Sequence, residues 1–156
     1  IQVSHSRFQH CVEMARAAGD EEILGHSCAM MGRTTFHMSE YEQAIAHLKE
    51  GGGILRRLEK WDELSLITSM LGVVYGWMGR FGESRTMQTE ALEMARRSGN
   101  PRSLAFTHVM SAGPPCVQGN WEDCIKASLQ GEELAQQIGD WHLGGTANVR
   151  NGRATF

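Results

Sequence analysis

Histidine and cysteine have the widest chemical reach of the side chains in this sequence, and seven histidines with four cysteines would suffice for a transition-metal centre or a thiol nucleophile. Their spacing does not gather them. His26 and His37 lie eleven residues apart, and a helix rising ~1.5 Å per residue would separate them by ~16 Å, too far to share an ion. His10 and Cys11 are neighbours that point in different directions. Cys116 and Cys124 flank a turn with no second pair beside them, and Cys124 stands where related segments carry a small packed residue. The expectation is no metal and no cofactor. Catalysis fares no better: there is no glycine-rich phosphate loop after a strand, no Gly-x-Ser-x-Gly turn, and no histidine pair at metal-binding helical spacing. Glu21-Glu22 and Glu132-Glu133 read as solvated helix starts or flanks, not as an acid and base. The chain is expected not to be an enzyme.

Composition narrows the partners. The 156 residues are 41% hydrophobic and 21% charged, enough for one core. Fifteen basic against eighteen acidic residues give a net charge of −3, with no basic run to neutralise phosphates, so nucleic acid is not an expected partner. No apolar stretch reaches the ~18 residues of a membrane span, and no signal-type start is present. A membrane partner is not expected either. Four unpatterned cysteines suit reduced thiols and a cytoplasmic setting.

The elements that would position any site emerge from self-similarity. Cys11 to Asp20 reads like Ala91 to Asn100, displaced by 80 residues, and Gly131 to Asp140 lies 40 further on; the copy from Gly51 to Lys60 is degraded, with Glu59 in place of the terminal glycine. Tyr41, Phe81 and Trp121 form an aromatic ladder, each followed three residues later by a small residue: Ala44, Ser84 and Cys124. Further ladders run through Gly32, Gly72, Ala112 and Gly152, through Met30, Met70 and Met110, and through Met38 and Met78. Within each unit, apolar and small residues fall at three- and four-residue steps, as in Ala44, Leu48, Gly51, Leu55 and Leu58. One repeat is thus two helices and a turn. Glycine followed by a polar residue or proline closes each unit, at Gly19-Asp20, Gly99-Asn100-Pro101 and Gly139-Asp140.

The order of small Gly72, Tyr75, Gly79-x-Phe81, Ser84 and Ala91 resembles the tetratricopeptide repeat. Its ~40-residue period, with a long second helix ending in Leu/Met-Ala-x-x-x-Gly-Asp, is similar to the subgroup in large bacterial regulators, including MalT-like activators, signalling ATPases and cyclase-associated proteins. Thr35 and Pro115 depart from the aromatic position and Ser39 from the turn glycine. The resemblance implies an all-α fold, a right-handed superhelical solenoid of antiparallel helix pairs with about eight helices. The period divides residues 1–156, one array, into an orphan second helix (1–19), full pairs at 20–59, 60–99 and 100–139, and a lone first helix (140–156). Ile1 aligns with Tyr41 and Phe156 with Phe36, so the chain is expected to be a fragment of a longer protein, with self-association through its unfinished ends possible.

The resemblance also places first helices on a concave face. The implied groove rows are His26, Leu66 and Phe106, then Ala29, Ser69 and Val109, then Arg33, Val73 and Gly113, with Phe36, His37 and Trp77 at the far ends. These mainly apolar rows suit a protein or peptide partner, an amphipathic helix or an extended segment. A carboxylate clamp is not expected, since only Arg33 among the matching positions could hold an anion. The methionine ladder reads either as an adaptable binding surface or as filling between helices, and filling is the expectation. Pro114-Pro115 should end the third first helix near Ala112 or bend it. Gly51-Gly52-Gly53 weakens its helix, as a hinge or as tolerated irregularity. The expected function is a protein-interaction scaffold within a bacterial signalling or transcriptional regulator; the alternatives are a sensor for a small inducer or signalling peptide, and a spacer with no ligand.

Overall fold

Side-chain types that recur every 40 residues fold into backbone that recurs every 20. The computed structural model describes the backbone of residues 2–154 and the side chains of residues 5–148 and 152; the expectations drawn from Ile1 and Phe156 lie outside the described residues. Among the described residues the chain is all-helical, with no strand. These residues form nine helices in succession: α1 (Gln2–Ala18), α2 (Glu21–His37), α3 (Tyr41–Arg57), α4 (Trp61–Trp77), α5 (Phe81–Ser98), α6 (Pro101–Ser111), α7 (Gly113–Gln118), α8 (Trp121–Gln137) and α9 (Trp141–Ala154).

Local chemistry sets these boundaries. A residue with positive φ closes a helix at Gly19, Ser39, Glu59, Gly79, Gly99, Gly119 and Gly139. Ser39 and Glu59 therefore keep the turn without the glycine, although the left-handed conformation costs a side-chain-bearing residue ~1–2 kcal/mol. Backbone bonds hold the Ser39 turn, with Ser39 N–H donating to the Phe36 carbonyl and Glu40 N–H to that of Thr35, each at 3.0 Å. On the entry side, Asp20 accepts from Ile23 N–H at 3.0 Å and Asn100 from Arg102 N–H at 3.0 Å, satisfying donors that a helix start leaves unpaired. Pro101 opens α6 where no N–H is required.

The short helix α7 arises from a break. Pro114 and Pro115 bring no N–H to the ladder, so the helical hydrogen bonding is interrupted between Ser111 and Gly113 although Ala112 keeps right-handed backbone dihedrals. Pro114 packs against Gly76, where any added Cβ would meet its ring at 2.9 Å.

Neighbouring helices pack in sequence order, α2 along α3 and α4 along α5, while α4 also packs on α6 and α6 on α9. The largest core lies among α2, α3 and α4, where Leu48, Leu55 and Val74 are fully buried against Ile67, Leu71 and Tyr75. Burying each of the larger apolar side chains contributes roughly 1.5–3 kcal/mol. Smaller clusters form around Val12 and Met31, and around Ala105, Ala135 and Leu143. Where α2 meets α3 the backbones nearly touch: a Cβ on Gly51 would lie 2.7 Å from the Gly25 carbonyl oxygen. The glycine triplet does not interrupt α3, which runs unbroken through it. No helix of the described residues is long and apolar enough to cross a membrane.

Candidate functional site

On α2, α4 and α6, residues four apart stack on one face because a helix returns to the same side every 3.6 residues. Leu66 and Met70 on α4, and Phe106 and Met110 on α6, form such pairs. With Met30 on α2 they line a cavity of about 710 Å³ that α9 completes through His142, Leu143 and Thr146. Its floor is hydrocarbon and thioether, and its polar groups are Arg33, His37, Arg102, His142 and Thr146. No acidic residue lines it among those described. Arg102 is held by Asp140, with Nε 3.0 Å from Oδ2, whereas no ion pair of the described residues involves Arg33.

Seven of the expected groove residues meet on this cavity: Ala29, Arg33, Phe36, His37, Leu66, Val73 and Phe106. Four do not. Ser69 and Val109 are fully buried because they stand one position before Met70 and Met110, and one residue turns a helix by about 100°. Val109 packs on the backbone-exposing face of Gly131, and the Ser69 carbonyl accepts from Gln88 Nε2 at 3.1 Å. Trp77 is 52% exposed and sets its ring edge-on to Phe36, centroids 6.4 Å apart, extending the aromatic rim outside the cavity. His26 leans away to Glu63, with Nε2 3.0 Å from Oε2.

Met70 and Met110 thus take the places assigned to Ser69 and Val109, while on α2 Met30 lines the cavity beside Ala29. The methionines, expected to fill between helices, are half-buried in the cavity wall, with Met30 and Met70 also resting on the core cluster beneath. The signal was present in the sequence, since position 70 lies four after Leu66 and position 110 four after Phe106. The contributions of Arg102 and α9 had no such signal, because they depend on how α6 packs against α9.

One further cluster gathers outside this cavity. Glu22, His26 and Glu63 bring one ligating atom each within 4.8 Å of one another, and of the described residues they are the set able to offer three ligands to a cation. Lys60 already supplies positive charge, its Nζ 2.7 Å from Glu22 Oε1. Burial pushes the Glu63 carboxyl above its ordinary range, against the opposing pull of His26. The geometry is that of an ion-pair network tying the start of α2 to the start of α4.

The described lining of the cavity offers desolvation of apolar groups beside the guanidinium groups of Arg33 and Arg102. In comparison with known proteins, no family model matches the chain and no curated protein matches it.

Proposed function

We propose that the chain is a tetratricopeptide-type solenoid of antiparallel helix pairs whose work is to bind a segment of another protein in the cavity lined by α2, α4, α6 and α9. The observation that carries this reading is the shared lining: one face, recurring at a 40-residue step as Met30, Met70 and Met110, contributes apolar surface from three consecutive units. Helices held by their neighbours present that surface already ordered, so a partner would bury apolar side chains at little ordering cost to this chain. Flexible thioethers let the wall adapt to the side chains it receives. In the setting that the sequence resemblance implies, this is the interaction scaffold of a cytoplasmic bacterial signalling or transcriptional regulator, with no catalytic role of its own.

A second reading has one observation in its favour. A volume of about 710 Å³ falls within the roughly 300–1,000 Å³ of small-ligand sites, so a sensor of a small inducer remains the competing proposal. The apolar lining favours the scaffold.

A displayed peptide library selected on the wild-type protein, with a Leu66→Glu variant as counter-selection, separates them. Leu66 is half-buried on the cavity wall, so its carboxylate would face the site while circular dichroism checks that the helices persist. Peptides enriched on the wild type and lost on the variant are expected. Failure to enrich any such peptide, together with a melting shift from a metabolite panel, would move the function to the sensor.

A further inference from the structure

We propose that the cavity's partner is an amphipathic α-helix whose apolar face is flanked by acidic residues, seated across the Met30–Met70–Met110 row with a carboxylate against Arg33. The inference rests on the peptide-binding reading above and adds the conformation and charge of the occupant.

Conformation follows from the floor. An extended segment leaves its backbone N–H and C=O groups to be paired by the surface it lies on, and an unpaired polar group removed from water is costly. Along the row the floor offers thioethers, leucine and phenylalanine, none of which can pair an amide. A helix arrives with its backbone bonds made and presents only side chains. The step also fits. Packed helices such as α4 and α6 lie ~8–10 Å apart, and residues seven apart on a partner helix are separated by ~10.5 Å, so anchors at i and i+7 would meet Met70 and Met110.

Charge follows from the rim. Arg33 on α2 and Arg102 on α6 both line the cavity, with imidazoles at His37 and His142 and no carboxylate in the described lining. Asp140 already engages Arg102; Arg33 is exposed and joins no ion pair among the described residues. The whole chain carries a net charge of −3 and by itself would draw basic peptides. A preference for an acidic helix would therefore come from this rim and not from the overall field.

The test uses three stapled or linear synthetic peptides of 18 residues (about five turns) read by fluorescence anisotropy. The first is a stapled helix with leucine on one face and glutamate on its flanks; the second replaces every glutamate by lysine; the third is the glutamate peptide with two central prolines and no staple. The glutamate helix is expected to bind at least tenfold more tightly than either other peptide. Arg33→Glu, which changes an exposed residue, is expected to invert the preference toward the lysine helix, and Leu66→Glu to abolish binding of both. Equal binding of the glutamate and lysine helices, or no inversion in Arg33→Glu, overturns the charge assignment. Equal binding of the proline-broken peptide, still lost in Leu66→Glu, overturns the helix and leaves the peptide-binding reading standing. Binding of none of the three overturns this proposal, and the library selection decides separately whether the cavity takes peptides at all.

Discussion

Replacing Gly51 by alanine tests the closest approach of a would-be Cβ to the backbone of another helix among the described glycines. A Cβ there would stand 2.7 Å from the Gly25 carbonyl oxygen, 3.1 Å from Cys28 Cβ and 3.2 Å from the Ala29 nitrogen, two of which are backbone atoms that no rotamer change can move. Comfortable contact needs ~3.5 Å, so α3 would have to withdraw from α2 by roughly 0.8 Å and loosen the Leu48 and Leu55 packing along the same face. Overpacking of this kind costs about 1–3 kcal/mol. Against it stands the helical preference of alanine over glycine, about 1 kcal/mol. Gly53 supplies the control on the same helix: it is exposed, and nothing lies within 4 Å of its would-be Cβ, so Gly53→Ala should express the preference alone. Gly53→Ala is expected to stabilise by about 1 kcal/mol, a rise of roughly 2–4 °C in Tm, and Gly51→Ala to fall about 1–3 kcal/mol below it. Urea unfolding of the three proteins by far-UV circular dichroism reads both values, with an unchanged slope confirming that stability alone has moved. A Gly51→Ala protein as stable as Gly53→Ala would refute the claim that helix contact, and not a hinge, explains the glycine.

Two other perturbations have signs set by burial. Burial, then the nearby Glu50, pushes the Cys28 thiol up to about 11, so at pH 8 it should resist alkylation in the native protein while exposed Cys11 reacts; mass spectrometry showing both labelled at one rate would contradict the burial. His108 moves the other way, its pKa held below the usual 6.5 first by burial and then by Arg96. The unfolded chain thus binds the proton more readily, and stability should fall as pH drops through 6.5 toward the folded value. His108→Gln should flatten that part of the stability profile relative to wild type, and identical profiles from pH 7 down to 5 would exclude the effect.

The legibility of this protein follows the range of the interactions concerned. Helix positions could be read from the sequence because they depend on residues within a few places of one another: the capping Asp20 and Asn100, the glycines at 79, 99 and 139, and the prolines that stop α6 after Ser111. The 40-residue ladders were visible because each unit repeats the same local requirements. At Ser39 and Glu59 the period alone marked the turn, since neighbouring backbone bonds hold a conformation that their residue types disfavour.

Facing was decided by packing across units. A helix turns by about 100° per residue, so an error of one position in the row is enough to replace the cavity-lining Met70 and Met110 with the buried Ser69 and Val109. The four-residue step from Leu66 and Phe106 could have corrected it, but the joining of α9 to the cavity and the pairing of His26 with Glu63 could not be read so. Those depend on distances between helices dozens of residues apart, which close contacts such as Gly51 on Gly25 adjust by tenths of an ångström. Local residue patterns set where most of the helices begin and end, whereas packing between helices sets which of their side chains share a surface.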